Sequence, residues 1–151
     1  MNTFEHSRSF GMNVPGDAQS LSLIRLLMTH LAETAGFAEE DIGKIEIAVD
    51  EACTNVIEHA YAAISPKPSI RLEVESNAEQ LRVDIVDQGQ SFDYNSYIPP
   101  KFPDHWNEGH KRGVGLYLIR KCMDDSSYTR LPDRSNRLRL IKKLSKPGDS
   151  N

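Results

Sequence analysis

Hydrophobic and polar positions follow regular spacings along this chain, and the clearest pattern lies between Ile42 and Tyr61. Apolar residues recur there at intervals of three and four, which predicts an α-helix with one buried face. They are Ile42, Ile45, Val49, Ala52, Val56 and Ala60. Glu51, Asn55 and His59 follow one another four residues apart, so they form a polar stripe beside the apolar face. Such a stripe is typical of a solvated helix edge or of a helix that lines a pocket.

The remaining patterns predict two more helices and five strands. One helix runs from Ala18 to Ala35 and ends at Gly36, and a short one runs from Val114 to Met123. Period-two alternation predicts strands at positions 4–14, 69–75, 80–86, 126–131 and 137–144. We therefore expect an α+β two-layer sandwich, a mainly antiparallel mixed sheet covered on one face by three helices. Positions 4–144 form the predicted single domain, and the polar tail 145–151 is expected to fray.

Composition narrows the class of protein without identifying it. The chain has 151 residues and a formal net charge of -4, which argues against nucleic acid as the main partner. No apolar run is long enough for a membrane span and no secretory signal is visible, so we expect a cytoplasmic protein without a membrane partner. Cys53 and Cys122 match neither a disulfide framework nor a zinc site, and buried free thiols are expected.

Three separated groups of residues could carry chemistry. The first is the pair Glu51 and Asn55 on the central helix. The second is Asp87 and Gly89 at the end of a predicted strand, with Phe92 following; a carboxylate there can accept a hydrogen bond from a ligand amine, and glycine allows close approach. The third group is Lys111, Arg112, Gly113, Val114, Gly115 and Leu116. Each group alone also has an ordinary structural explanation, as a helix edge, a turn or a tight helix entry.

The third group places a glycine pair, Gly113 and Gly115, where the short helix is predicted to begin. Free backbone N–H groups and the positive end of the helix dipole would make this start a phosphate site, with Lys111 and Arg112 adjacent. Between Asp87 and Gly113 the sequence has no clear period. A segment of this length in a small domain is typically functional or disordered, and its aromatic residues argue against disorder.

Two other groups suggest sites that we set aside. Asp104, His105, Glu108 and His110 have no standard metal-ligand spacing. The basic residues between Arg130 and Lys143 alternate with Leu138 and Leu140, which favours the polar face of a strand over a nucleic-acid site.

The three groups together resemble the N, G1 and G2 boxes of the GHKL ATPase and kinase superfamily, whose ATP-binding domain is called the Bergerat fold. The stretches that carry the resemblance are VDEACTNVIEHAY, VDQGQSFD and RGVGLYLIRKCMDD. Their residues are most similar to those of the anti-sigma-factor serine kinases, and the resemblance spans nearly the whole chain. Ser91 stands where the wider superfamily often has a second glycine. No Walker P-loop or HRD-type kinase loop is present.

The resemblance implies roles for individual residues. Asn55 would hold Mg²⁺ and Glu51 would act as general base on the attacking hydroxyl. Asp87 would accept from the adenine amine, while Gly89 lets the base approach and Phe92 lies nearby. The segment Tyr94–Lys111 would cover the nucleotide. The other implied ATP contacts are Lys111, Arg112, Gly113, Val114, Gly115 and Leu116, with Arg112 preferred for the terminal phosphate. His59 would have a packing or orienting role.

The implied function is an ATP- and Mg²⁺-dependent serine/threonine kinase and anti-sigma factor that phosphorylates a STAS-type anti-sigma-factor antagonist. A sigma factor and a second copy of the chain are the other implied partners. Two alternatives stay open at this point. One is a binding module that holds ATP or ADP without catalysis and sequesters a partner. The other is a stand-alone histidine-kinase-type catalytic domain.

Overall fold

The computed structural model of the protein describes residues 7–96 and 108–145, with positions 108–112 as backbone only. Its helices are α1 (Ser20–Ala35), α2 (Glu39–Asn55) and α3 (Glu108–Cys122), and a π-helical turn, Val56–Ala60, continues α2. Its strands are β1 (Arg8–Val14), β2 (Ile70–Ser76), β3 (Gln80–Asp87), β4 (Asp125–Arg130) and β5 (Asn136–Lys143). Strand ends that were predicted within the described residues agree with these bounds to one or two positions, because alternation marks buried positions directly.

The strands form one sheet in the order β1-β2-β3-β5-β4, and every pairing among them is antiparallel. The predicted two-layer α+β fold is confirmed, although the described sheet has no parallel pair. Alternate strand residues such as Leu72, Val83 and Leu140 point into one core shared with the helices. The β3–β5 register sets Asp87 opposite Asn136 at one end of these strands.

The end of α1 shows how the sequence sets the helix layer. Gly36 has a φ of 95°, a left-handed conformation that favours glycine. Its N–H donates to Glu33 O, and the Phe37 N–H donates to Ala32 O, which satisfies the last carbonyls of the helix. The chain then turns sharply into α2, whose first turn carries Glu39, Glu40 and Asp41 at the positive end of the helix dipole.

At its C-terminal end, α2 widens into the π-helical turn. The Tyr61 N–H donates to Val56 O at 2.8 Å, a bond that spans five residues instead of four. The predicted polar stripe therefore holds for Glu51 and Asn55 but changes before His59, which lies half-buried in the turn. Tyr61 is fully buried below the turn, and its hydroxyl donates to Ser69 O at 2.8 Å.

The start of α3 corrects the sequence prediction. The helix begins at Glu108, not at Val114, so Gly113 and Gly115 lie inside it. Only the first four N–H groups of an α-helix lack an acceptor within the helix, and Gly113 is beyond them. The predicted helix start at these two glycines is therefore wrong, and their expected contacts with phosphate stay predictions. A glycine costs about 1 kcal/mol in a helix interior, too little to end a helix that packs along α2.

Other predictions have simpler outcomes. Cys53 and Cys122 are both free and buried, as expected. Of the predicted nucleotide cover Tyr94–Lys111, positions 97–107 lie outside the described residues, and so does the predicted tail after position 145. In the part of the chain that is described, no helix has the length and apolar character needed to cross a bilayer.

Candidate active site

Glu51 and Asn55 lie one turn apart on α2, both half-buried, where α3 crosses beside them. A Cβ atom added to Gly115 of α3 would lie 2.8 Å from Glu51 Oε2. The same atom would lie 3.7 Å from Asn55 Nδ2 and 3.8 Å from Asn55 Oδ1. The structure thus brings the first and third predicted groups together, and only a residue without a side chain leaves the Glu51 carboxylate where it stands.

Asn55 also has the donor chemistry for a magnesium ion. It offers an amide oxygen, and Mg²⁺ prefers oxygen ligands, with one or two from the protein and others from phosphate and water. This residue therefore fits Mg²⁺ bound together with a nucleotide. Across 7–96 and 108–145, no group of three His, Cys, Asp or Glu residues could hold a metal by itself.

Asp87 lies at the end of β3 and is almost fully buried. Its Oδ1 accepts hydrogen bonds from the Gly89 N–H at 2.8 Å and from Asn136 Nδ2 at 3.1 Å. Burial raises the pKa of Asp87 above its ordinary value, and these two hydrogen bonds act in the opposite direction. A buried carboxylate with an oxygen left to accept is suited to binding a ligand amine.

Gly89 has a structural role that its position in the sequence does not reveal. A Cβ atom there would lie 2.4 Å from Ala60 O, because the loop after β3 rests directly on the π-helical turn. The adjacent Gln90 N–H donates to the same carbonyl at 3.1 Å. The glycine is thus required by an approach of two backbone segments, and the expected approach of adenine to Gly89 stays a prediction.

A narrow cavity lies between these groups. It has a volume of about 20 Å³ and is lined by Ala52, Asn55, Val56, Ala60, Ile85, Asp87, Phe92, Leu116, Tyr128 and Leu138. A volume of this size holds about one water molecule, so the lining must move apart to admit a purine. Phe92 and Tyr128 have ring centroids 4.7 Å apart on its wall, and both are half-buried. They are side chains that a ligand could displace.

The third group of predicted residues is only partly placed. Leu116 is buried on the cavity wall, while Gly113 and Val114 are half-buried in α3. The side chains of Lys111 and Arg112 lie outside the described residues, as do those of the rejected metal group at positions 104, 105, 108 and 110. The predicted roles of Arg112 and Lys111 stay predictions.

Asn136, Tyr128 and Leu138 are among the residues at the site that the sequence did not predict. Asn136 begins β5, on the same side of the strand as Leu138 and Leu140. A polar residue at an apolar position of an alternating strand was a signal that could have identified it. Tyr128 carried no signal, since aromatic residues are common in strands.

The chain resembles proteins of known family over most of its length. The histidine kinase-like ATPase domain family matches residues 14–142. A serine-protein kinase RsbW from Bacillus thuringiensis (strain Al Hakam) is 36% identical over 128 residues, 80% of this chain and 77% of the relative. The RsbW of Bacillus cereus (strain AH187) is 35% identical over 128 residues, with the same coverage.

A solved structure agrees at the level of the fold. The RsbU and RsbW domains of a Mycobacterium tuberculosis protein match with a TM-score of 0.65 and 17% identity, over 93% of this chain and 33% of that longer chain. The resemblance inferred from the three sequence groups is confirmed by the family and its relatives. The chain belongs to the histidine kinase-like ATPase domain family and, within it, to the group of the RsbW serine-protein kinases.

Proposed function

We propose that this chain is an ATP- and Mg²⁺-dependent serine/threonine protein kinase that also acts as an anti-sigma factor in a bacterial partner-switching pathway. Its substrate would be a STAS-type anti-sigma-factor antagonist, and its other partners a sigma factor and a second copy of itself. We place it in the cytoplasm, without nucleic acid or membrane as direct partners. The names of the relatives support the kinase activity. The observation that carries the proposal is that Glu51 and Asn55 lie one turn apart on α2 with Gly115 of α3 close beside both, because this supports a base and a metal ligand acting at one place.

In the proposed reaction, the hydroxyl oxygen of the protein substrate bonds to the γ-phosphorus of ATP while the bond from that phosphorus to ADP breaks. Glu51 takes the hydroxyl proton. When bound with the nucleotide, Mg²⁺ would supply charge neutralisation. Asn55 would hold that ion, Asp87 would orient the adenine, and Arg112, with Lys111 second, would stabilise the terminal phosphate. Phosphoryl transfer depends mainly on positioning and charge, so this small set of groups suffices.

The Glu51→Ala variant tests the proposed base. We expect phosphoryl transfer to fall by about 10²–10⁴-fold, the usual contribution of a general base, while ATP binding is retained. The assay mixes purified protein, γ-labelled ATP, Mg²⁺ and a lysate of the source organism, and ATP affinity is titrated separately. Glu58→Ala is the control, because Glu58 is exposed on the π-helical turn.

The outcomes separate the proposal from its alternatives. An acid-stable labelled protein that appears with wild type and Glu58→Ala, but not with Glu51→Ala, supports a hydroxyl-directed kinase. An acid-labile product would instead indicate transfer to histidine. ATP binding without any labelled protein would indicate the non-catalytic binding module, and loss of ATP binding in Glu51→Ala would contradict the role given to Glu51.

A further inference from the structure

Asn136 is fully buried at the first position of β5, directly opposite Asp87 in the sheet register. Its side-chain Nδ2 donates to Asp87 Oδ1 at 3.1 Å and to Gly89 O at 3.0 Å. These two bonds use both N–H groups of the amide. Asn136 therefore joins the end of β3, the loop after it and the start of β5 at a single point behind the cavity.

The hydrogen bonds to Asp87 are one-sided. The Gly89 N–H and Asn136 Nδ2 both donate to Oδ1. Within the described part of the chain, none of the hydrogen bonds to this carboxylate reaches Oδ2. Asp87 lines the cavity, whereas Asn136 lies behind it. Asn136 can thus influence a ligand indirectly, by holding the Gly89 carbonyl and by setting the orientation of the Asp87 carboxylate, with Oδ1 held by the protein and Oδ2 left to accept.

This arrangement carries an energetic penalty. Asn136 Oδ1 is buried, and no partner for it exists among the described residues. A buried acceptor without a hydrogen bond destabilises a fold, and an apolar side chain of the same shape would avoid that penalty. Asparagine donates two hydrogen bonds at this position, and a leucine could donate none.

We propose that Asn136 is a positioning residue that gives the site its preference for adenine over guanine nucleotides, an inference that rests on the proposed ATP-binding function. A carboxylate held with one oxygen free accepts from the exocyclic amine of adenine. Guanine presents a carbonyl oxygen at the corresponding ring position, so two acceptors would face each other. If the carboxylate can rotate away, the hydrogen bond from adenine and the repulsion of guanine both weaken, so the discrimination falls.

A second consequence distinguishes positioning from simple packing. The hydrogen bond from Asn136 counteracts the rise that burial causes in the pKa of Asp87. Without it the pKa of Asp87 rises further, and the ionised carboxylate that accepts from adenine is lost at a higher pH than in wild type. Other ionisable groups near Asp87 are the same in wild type and variant, so a difference between their pH profiles reports on Asp87. Tyr61 is one of these groups, and the elements around the site also carry Glu51 on α2, His59 in the π-helical turn and Arg130 on β4, opposite Asn136.

The test compares wild type with Asn136→Leu, and with Asn136→Ala in case leucine does not fit. Dissociation constants for ATP and GTP are measured by competition with a fluorescent nucleotide, and the ATP constant is followed from acidic to neutral pH. Ser135→Ala is the matched control, because Ser135 is a buried neighbour whose side chain bonds to Asp133 instead of Asp87. The ratio of the two constants and the pH midpoint are properties of the folded fraction, so partial destabilisation does not obscure them.

We expect the ATP-to-GTP preference to fall by about tenfold or more in both Asn136 variants, as for one misaligned hydrogen bond to a charged group. The pH midpoint of ATP binding should rise in both, while Ser135→Ala keeps the wild-type values. An unchanged preference and midpoint, or an equal loss of affinity for both nucleotides, would overturn the inference. Wild-type protein that binds neither nucleotide would instead overturn the proposed function on which it rests.

Discussion

The charge of Asp87, which we propose binds adenine, lowers the stability of the fold. Burial raises its pKa in the folded protein, so the folded state takes up a proton more readily than the unfolded chain. Its ionisation therefore destabilises the fold as pH rises from the ordinary aspartate pKa through the raised one, and the penalty is complete above both.

The Asp87→Asn variant should remove that penalty. The amide oxygen can still accept from the Gly89 N–H and from Asn136, so we expect a higher melting temperature than wild type at neutral pH. The difference should vanish below about pH 4, near the ordinary aspartate pKa. ATP affinity should be lost, since an amide cannot replace the anionic acceptor. Melting curves across pH and ATP titration provide the measurement.

Asp133→Asn is a control for which we expect the opposite effect on stability. Hydrogen bonds from Ser135 lower the pKa of Asp133, so its contribution stabilises the fold above the ordinary aspartate pKa and is lost at acidic pH. This variant should be less stable than wild type at neutral pH and should bind ATP normally. Equal stability of Asp87→Asn and wild type at every pH would contradict the account given for Asp87.

The close approach of α2 and α3 at Gly115 can be tested by substitution. In Gly115→Ala the new Cβ would lie 2.8 Å from Glu51 Oε2, the far end of a flexible side chain that can move aside. Alanine also stabilises a helix by about 1 kcal/mol relative to glycine. We therefore expect an unchanged or higher melting temperature together with a large loss of phosphoryl transfer, because the carboxylate is displaced.

Gly43→Ala controls for the helix propensity. Gly43 lies in α2, and a Cβ there would meet nothing within 4 Å, so the variant gains helix stability without touching the site. Its transfer activity, measured with the same labelled ATP, should equal that of wild type. If Gly115→Ala also kept full activity, the position of Glu51 against α3 would not matter for the reaction.

The elements also show how far the sequence could predict this molecule. Alternation along β2, β3 and β5 located the strands closely, because each buried residue on one face reports its own position. The start of α3 could not be read in this way, since its glycines are tolerated only because α2 packs beside them. The role of Gly89 was equally hidden, because Ala60 comes from a distant part of the chain.

For the site, the sequence predicted the residues on either side of the cavity but not the one behind it. Glu51, Asn55 and Asp87 were identified from residue type and spacing, and the structure gathers them around one small cavity or directly beside it. Asn136 was missed because its partner Asp87 is a neighbour only through the pairing of β3 with β5. Sequence spacing reports neighbours within an element and is silent about neighbours across a sheet.

At the scale of the whole molecule, a bound nucleotide should stabilise the fold, because its proposed contacts join α2, the end of β3 and α3. At a hundred times the dissociation constant the gain is about 2.7 kcal/mol. For a protein of this size that corresponds to a rise in melting temperature of about 5–10 °C. Thermal melts with ATP, in Mg²⁺ and in a chelator, measure it.

The same melts test Asn55 as the metal ligand. In Asn55→Ala we expect the Mg²⁺-dependent part of the stabilisation to disappear, while the smaller effect of ATP in the chelator remains. Asn13→Ala, at an exposed position of β1, is the control and should behave as wild type. An undiminished Mg²⁺ effect in Asn55→Ala would show that the ion is held by other groups.

The two ends of the cavity differ in how firmly they are built, and this difference has a kinetic consequence. At the Asp87 end, backbone meets backbone: Gly89 rests on Ala60, and Asn136 holds the Gly89 carbonyl. At the Asn55 end, the flexible side chain of Glu51 lies one helical turn away on α2 and faces α3. Changes at the first end should alter ground-state binding and appear in KM, whereas changes at the second should appear in kcat. Affinity and turnover could then be varied independently in this enzyme.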